Sequence, residues 1–98
     1  MPAYIIANVS VTDPAAFEAY RKLAQEAIAH HGGRYLVRGG ATTALEGEPK
    51  PARVVVLEFP TVDVAKRFYD SPEYLAARRA REGAARIDMF VVEGYAPA

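Results

Sequence analysis

The chain has 98 residues, 12 basic against 12 acidic side chains and no cysteine. That length supports one domain with a single core, residues 1–98, and the cancelling charges remove the electrostatic footprint of a nucleic-acid or anionic-membrane binder. The lack of cysteine excludes disulfides, thiolate metal sites and cysteine nucleophiles.

The N-terminus, Met1-Pro2-Ala3-Tyr4, carries no basic segment ahead of an apolar one, and no apolar run approaches the roughly 20 residues of a membrane span. A soluble, cytoplasmic protein is expected. From Tyr4 to Val11 the chain is rich in Ile and Val and forms a first strand. Ile5, Ala7, Val9 and Val11 share one face, and Tyr4, Ile6, Asn8 and Ser10 the other. Asp13-Pro14 supplies an N-cap followed by proline at the first helical position, where its missing N–H costs nothing. Phe17, Tyr20, Ala24, Ala27, Ile28 and His31 then recur at helical spacing as an apolar stripe. Gly32-Gly33 stops this helix as a left-handed cap.

Arg34 to Arg38 returns to strand character, with Tyr35 and Val37 expected on one face, and Gly39-Gly40 marks a bulge or sharp turn. The connection from Ala41 to Ala52 is too long for a tight hairpin and too short for a helical crossover, a length typical of functional or mobile loops. Arg53-Val54-Val55-Val56-Leu57-Glu58-Phe59, bounded by Pro51 and Pro60, reads as a buried central strand. Its Arg53, Val55, Leu57 and Phe59 face one way and Val54, Val56 and Glu58 the other. Thr61 caps a second helix through Val62, Val64, Ala65, Phe68 and Tyr69. Ser71-Pro72-Glu73 starts another, so a break is expected before the helix runs on to Gly83. Ile87 to Val92 is the last strand, and Gly94 and Pro97 end the ordered chain.

Strand, helix, strand, strand, helix, strand is the split βαβ order of an α+β, ferredoxin-like fold. It predicts a four-stranded antiparallel sheet with its helices on one face. The aliphatic faces (Ile5, Ala7, Val9; Val55, Leu57; Ile87, Met89, Val91) suit the helices. The other face, with Tyr4, Ile6, Val54, Val56, Phe90 and Val92 around Asn8, Glu58 and Asp88, and with Leu36 and Arg38 beside them, is more apolar than a monomer leaves wet. Packing two such sheets together predicts a homodimer. RNA-recognition modules of this topology carry aromatic stacking residues on the central strands; Val54, Val56 and Glu58 make a poor platform of the wrong charge, so no nucleic-acid partner is expected.

Glu58 sits among valines and needs a partner, and Arg38 on the adjacent strand is the candidate. Two readings stand: a polar pair in a cleft, able to hold a carboxylate or act as acid and base, or a structural ion pair. His30 and His31 suit a helix C-terminus. Adjacent helical positions point about 100° apart, so a shared metal ion is not expected. Arg78, Arg79, Arg81 and Arg86, with Glu73 and Glu82 interleaved, read as a solvated face. Tyr69 and Tyr74 flank the Ser71-Pro72 break, where core packing with a wet hydroxyl tip is their simplest role. Ser71 has no nucleophile context, and Gly39-Gly40 is no phosphate loop.

Gly32-Gly33-Arg34-Tyr35-Leu36-Val37-Arg38-Gly39-Gly40, Leu45-Glu46-Gly47, Arg53 to Pro60 and Tyr69-Asp70-Ser71-Pro72-Glu73-Tyr74 together resemble, in order and spacing, the family named domain of unknown function 1330. The resemblance covers nearly the whole chain. It implies membership of the dimeric α+β barrel superfamily, and the matched positions are Arg38, Gly39, Gly40, Glu46, Arg53, Glu58, Tyr69, Ser71, Tyr74 and Arg78. Superfamily members include cofactor-independent monooxygenases, haem-degrading enzymes, muconolactone isomerases and stress-response proteins, so fold-level analogy does not choose a reaction. Haem degradation fits badly, because no histidine lies between Thr61 and Gly83.

The leading expectation is a homodimer with a cleft between the sheet's free face and the helices that takes a small organic ligand. Arg38 and Glu58 are its candidate catalytic pair. Asn8, Gly39, Gly40, Glu46, Arg53, Tyr69, Ser71, Tyr74 and Arg78 are its candidate binding residues, and the Gly40 to Ala52 loop is its lid. No cofactor or metal is expected, and any catalysis would be proton transfer or oxygen chemistry. The rival is a non-catalytic stress or interaction protein in which those residues fix the dimer and loops.

Overall fold

Strand β1, Ala3–Val11, runs through the interior of a four-stranded sheet, and its two faces differ because helices cover only one of them. Ala3, Ile5, Ala7 and Val9 are buried, while Tyr4, Ile6 and Asn8 between them are half-exposed. The computed structural model describes residues 1–96, and the expected chain end at Pro97 lies outside the described residues. The remaining elements are α1 (Pro14–His30), β2 (Arg34–Arg38), β3 (Arg53–Phe59), α2 (Val62–Tyr69), α3 (Pro72–Ala80) and β4 (Ala85–Glu93). The strands lie in the order β2-β3-β1-β4 and the pairs are antiparallel, giving the α+β, ferredoxin-like arrangement.

Each helix begins where its sequence provides an acceptor for the first free N–H groups. Asp13 Oδ1 accepts from Ala16 N at 3.2 Å, Thr61 Oγ1 from Val64 N at 3.1 Å and Ser71 Oγ from Tyr74 N at 3.2 Å. The last of these caps enforces the break between α2 and α3, with Pro72 opening the new helix. Helix α1 ends in a double closure: Gly33 N donates to Ile28 O at 2.8 Å and Gly32 N to Ala29 O at 3.2 Å, with Gly32 at φ +76°.

The helices cover one face of the sheet. Ala24, Ala27 and Ile28 of α1, Ala65 and Phe68 of α2 and Tyr74 and Ala77 of α3 close over Ile5, Leu57 and Phe59. Three rings are the largest fully buried side chains. Phe59 and Phe68 stack with centroids 4.9 Å apart and Phe68 and Tyr74 at 4.5 Å, and all three side chains are fully buried.

Strand β2 departs from the expected register. Tyr35 pairs with Leu57 but Val37 pairs with Val56, so Leu36 is an extra residue in a β-bulge. Side chains alternate strictly along a strand, and one inserted residue reverses the alternation beyond it. Tyr35 and Val37 therefore fall on opposite faces, not on one. Arg38 pairs with Val55 and faces the helices, not the free side. The bulge ends at Gly39, whose φ of +74° lets its N–H reach Val54 O at 2.8 Å.

Candidate functional site

A cavity of about 50 Å³ lies between α1 and the helix-facing side of the sheet. The sequence places a cleft between the free face and the helices, but the helices sit on the opposite face of the sheet, so the enclosed space is on their side. Ile5, Ala7, Val55, Leu57 and Met89 make its floor, and Phe17, Tyr20 and Ala24 close it from above. Tyr35, Arg21, Arg38 and Arg53 form its polar border, and no aspartate or glutamate among the described residues lines it. Apolar strand residues make the floor because β1 and β3 are central. The cations reach the border from three elements: Arg21 from α1, Arg53 from the start of β3, and Arg38 from the edge strand β2, whose bulge puts it on the helix side.

The border is held by specific contacts. Arg38 Nη2 donates to Gln25 Oε1 of α1 at 3.1 Å, and its guanidinium lies 4.6 Å from the centre of the Tyr35 ring. Arg53 runs along Gly39, where a Cβ would stand 2.9 Å from the Arg53 Nε. Glycine at that position leaves room for the guanidinium. Arg21 pairs with Glu18 at 3.1 Å through Nη1, while its Nε is shielded from solvent and bonds to none of the described residues. Deeper in, the Tyr20 and Tyr74 hydroxyls meet at 2.8 Å. Burial, reinforced by Tyr74, pushes the Tyr20 phenol above the ordinary tyrosine range, and burial likewise raises Tyr35 against the opposing pull of Arg38. Both phenols stay neutral at neutral pH. The cavity thus offers positive charge at its border and, from the paired hydroxyls, one free O–H donor.

The expected Arg38–Glu58 pair does not form. Glu58 remains on the free face, where Arg34 directly opposite donates through Nε to its Oε1 at 2.7 Å. Arg34 precedes the bulge and keeps the free-face parity; Arg38 follows it and loses that parity. Since the Arg34 side chain is 69% exposed, this bridge is worth about 1 kcal/mol at most.

The other candidates scatter. Arg38, Arg53 and Tyr74 meet at the cavity with Gly39 beside Arg53. Tyr69 packs on Tyr74 at 5.6 Å and carries Arg78 over its ring at 4.4 Å, and neither lines the cavity. Ser71 is buried and engaged twice: its Oγ donates to Phe68 O at 2.7 Å and accepts from Tyr74 N. Asn8 lies on the free face, where its Oδ1 accepts from Ala52 N at 2.9 Å and anchors the end of the long connection. Gly40 and Glu46 are exposed within that connection. Tyr20, Arg21 and Tyr35 border the cavity without having been singled out. A phenol on the buried stripe of an amphipathic helix, one residue before an arginine, was the available signal for the first two.

Among curated proteins none matches the chain. Solved structures do match in fold. A protein of unknown function from Rhodopseudomonas palustris superposes with a TM-score of 0.76 at 20% identity, covering 98% of this chain and 84% of that one. SnoaB, a cofactor-independent oxygenase from Streptomyces nogalater, gives a TM-score of 0.64 at 16% identity over 98% and 95% of the two chains. A dimeric protein of unknown function with a ferredoxin-like fold from Bacteroides fragilis gives 0.61 at 14% identity, over 95% and 96%. The sequence itself carries the relationship further than these folds do, since the match extends over residues 2–95, and the chain belongs to the family Domain of unknown function (DUF1330).

Proposed function

We propose that the protein is a cytoplasmic homodimer that binds a small organic anion, a carboxylate or enolate on an apolar skeleton, in the cavity beneath α1. The observation that carries this reading is the convergence of Arg21, Arg38 and Arg53 on an apolar space without a lining carboxylate. Arg21 is paired with Glu18, but Arg38 and Arg53 have no carboxylate partner among the described residues, so their charge at the edge of an apolar space favours an anion. At about 50 Å³ the space holds little more than water, below the roughly 150 Å³ that accommodates a benzene. Entry of a ligand therefore requires the Tyr35 and Arg38 side chains to swing outward, which their position on an edge strand permits.

Likeness of fold to a cofactor-independent oxygenase favours a second, enzymatic reading: proton transfer from the bound molecule, or its reaction with oxygen. In that reading the arginines stabilise the substrate's anion while whichever of the paired Tyr20 and Tyr74 hydroxyls keeps its O–H free donates to it. The homodimer is supported by the apolar free face and by the dimeric neighbour of the same fold.

Native mass spectrometry of freshly purified protein, followed by calorimetric titration with aromatic and medium-chain carboxylates, tests the proposal. A dimer that carries or takes up one such acid per cavity is the expected result. Arg38→Gln should weaken uptake about ten- to a hundredfold with an unchanged circular dichroism spectrum. A wild-type protein that takes up none of the acids, or an Arg38→Gln variant of equal affinity, overturns it in favour of a non-catalytic interaction protein.

A further inference from the structure

His30, His31 and Glu73 converge at the opposite end of α1 from its cap, where α1 meets the first turn of α3. His30 Nε2 stands 3.2 Å and His31 Nε2 3.6 Å from the same carboxylate oxygen, Glu73 Oε1, and the three ligand atoms lie within 4.8 Å of one another. Regular helical spacing would hold two neighbouring imidazoles about 100° apart. His31, however, is the C-cap, at φ −100° and ψ 16°, and has left the helix. Its ring stands nearly perpendicular to that of His30 with centroids 5.1 Å apart, and its edge rests on Phe68, centroids 6.1 Å apart. That packing holds the ring in place. The His31 Nε2 is shielded from solvent and hydrogen-bonds to none of the described residues.

We infer that His30, His31 and Glu73 form a binding site for a divalent transition-metal ion. Four ligands at about 2.0–2.1 Å around a tetrahedral ion are separated from one another by about 3.3 Å. The two His–Glu separations of 3.2 and 3.6 Å already have that value, so binding needs only the two imidazole nitrogens to draw together. His30 is well exposed and free to make this adjustment, whereas His31 is anchored on Phe68. Two imidazoles and one carboxylate select Zn²⁺, Co²⁺, Ni²⁺ or Cu²⁺ over Mg²⁺ or Ca²⁺, which take oxygen shells. Three protein ligands leave a coordination position for water or for a group from outside. The ion would tie the end of α1 to the start of α3, adding a polar link to two helices that already share the apolar core. None of the three residues lines the arginine-bordered cavity, so this site stands independently of the proposed anion binding.

The test uses full-length protein freed of any affinity tag and stripped with a chelator. Calorimetric titration with ZnCl₂ should show one saturable Zn²⁺ per chain at micromolar affinity or tighter, accompanied by a rise in Tm. Co²⁺ in place of Zn²⁺ should produce the visible absorption of a tetrahedral or five-coordinate centre. His31→Ala and Glu73→Gln should each weaken Zn²⁺ binding more than about tenfold. His30→Ala, at an exposed position where folding is not at stake, should do the same. Failure of wild type to saturate with Zn²⁺ below millimolar concentration, or affinity unchanged in His30→Ala, overturns the inference.

Discussion

Tyr20 illustrates how the fold changes a side chain that looks ordinary in the sequence. It belongs to the apolar stripe of α1, yet its hydroxyl ends against that of Tyr74 at 2.8 Å in a partly buried contact. Burial first, and the Tyr74 hydroxyl second, hold its phenol above the usual range, and burial does the same for Tyr35. A raised pKa in the folded state means that the neutral form is the one the fold accepts. The associated stability is complete below the ordinary phenol value of about 10 and is lost as pH rises beyond it. Urea denaturation between about pH 8 and 11 should therefore show a midpoint that is flat at first and then falls. Tyr20→Phe should start lower, because Tyr74 loses its partner, and should fall less steeply. Parallel curves for wild type and variant would exclude Tyr20 as the source.

At the scale of the element, two short segments decide more than their length suggests. The α1–β2 connection brings the backbone of Gly33 against the Phe59 ring, where an added Cβ would stand 2.5 Å from Cε1. Phe59 is fully buried and cannot retreat, so Gly33→Ala should cost about 1–3 kcal/mol by overpacking, measured as a lower midpoint in denaturant with an unchanged slope. A midpoint equal to wild type would show that the ring has room to move. The second segment is the bulge at Leu36. It is absent from the pattern of apolar residues, because Tyr35, Leu36 and Val37 suit either face of a strand, and nothing local says that one of them is extra. Yet it moves Arg38 from the free face to the cavity and leaves Glu58 to Arg34.

For the whole molecule, the question is what becomes of the sheet's second face. The helices bury Ala3, Ile5, Leu57 and Phe59 on their side and leave Phe90 60%, Leu36 45% and Val92 42% exposed. Phe90 pairs with Ile6 at the centre of that uncovered surface. If two sheets pack face to face there, Phe90→Asp should shift the protein from dimer to monomer in sedimentation equilibrium, with native circular dichroism retained. A variant that remains dimeric would move the interface elsewhere. No helix among the described residues is long and apolar enough to cross a membrane.

Alternation in Tyr4 to Val11 and Arg53 to Phe59, the caps at Asp13, Thr61 and Ser71, and the stop at Gly32-Gly33 were enough to give the element order and the side of the sheet that the helices cover. These features act locally, through backbone hydrogen bonds and side-chain period, and local rules can be read along a chain. The cavity depends on which strand is at the edge, on one extra residue in β2 and on the reach of Gln25 to Arg38 across two elements. The meeting of His30, His31 and Glu73 depends on how α1 lies against α3. Such contacts join residues far apart in sequence through packing, so tertiary structure alone decides them: a single inserted residue reverses every side chain beyond it without altering composition, charge or propensity.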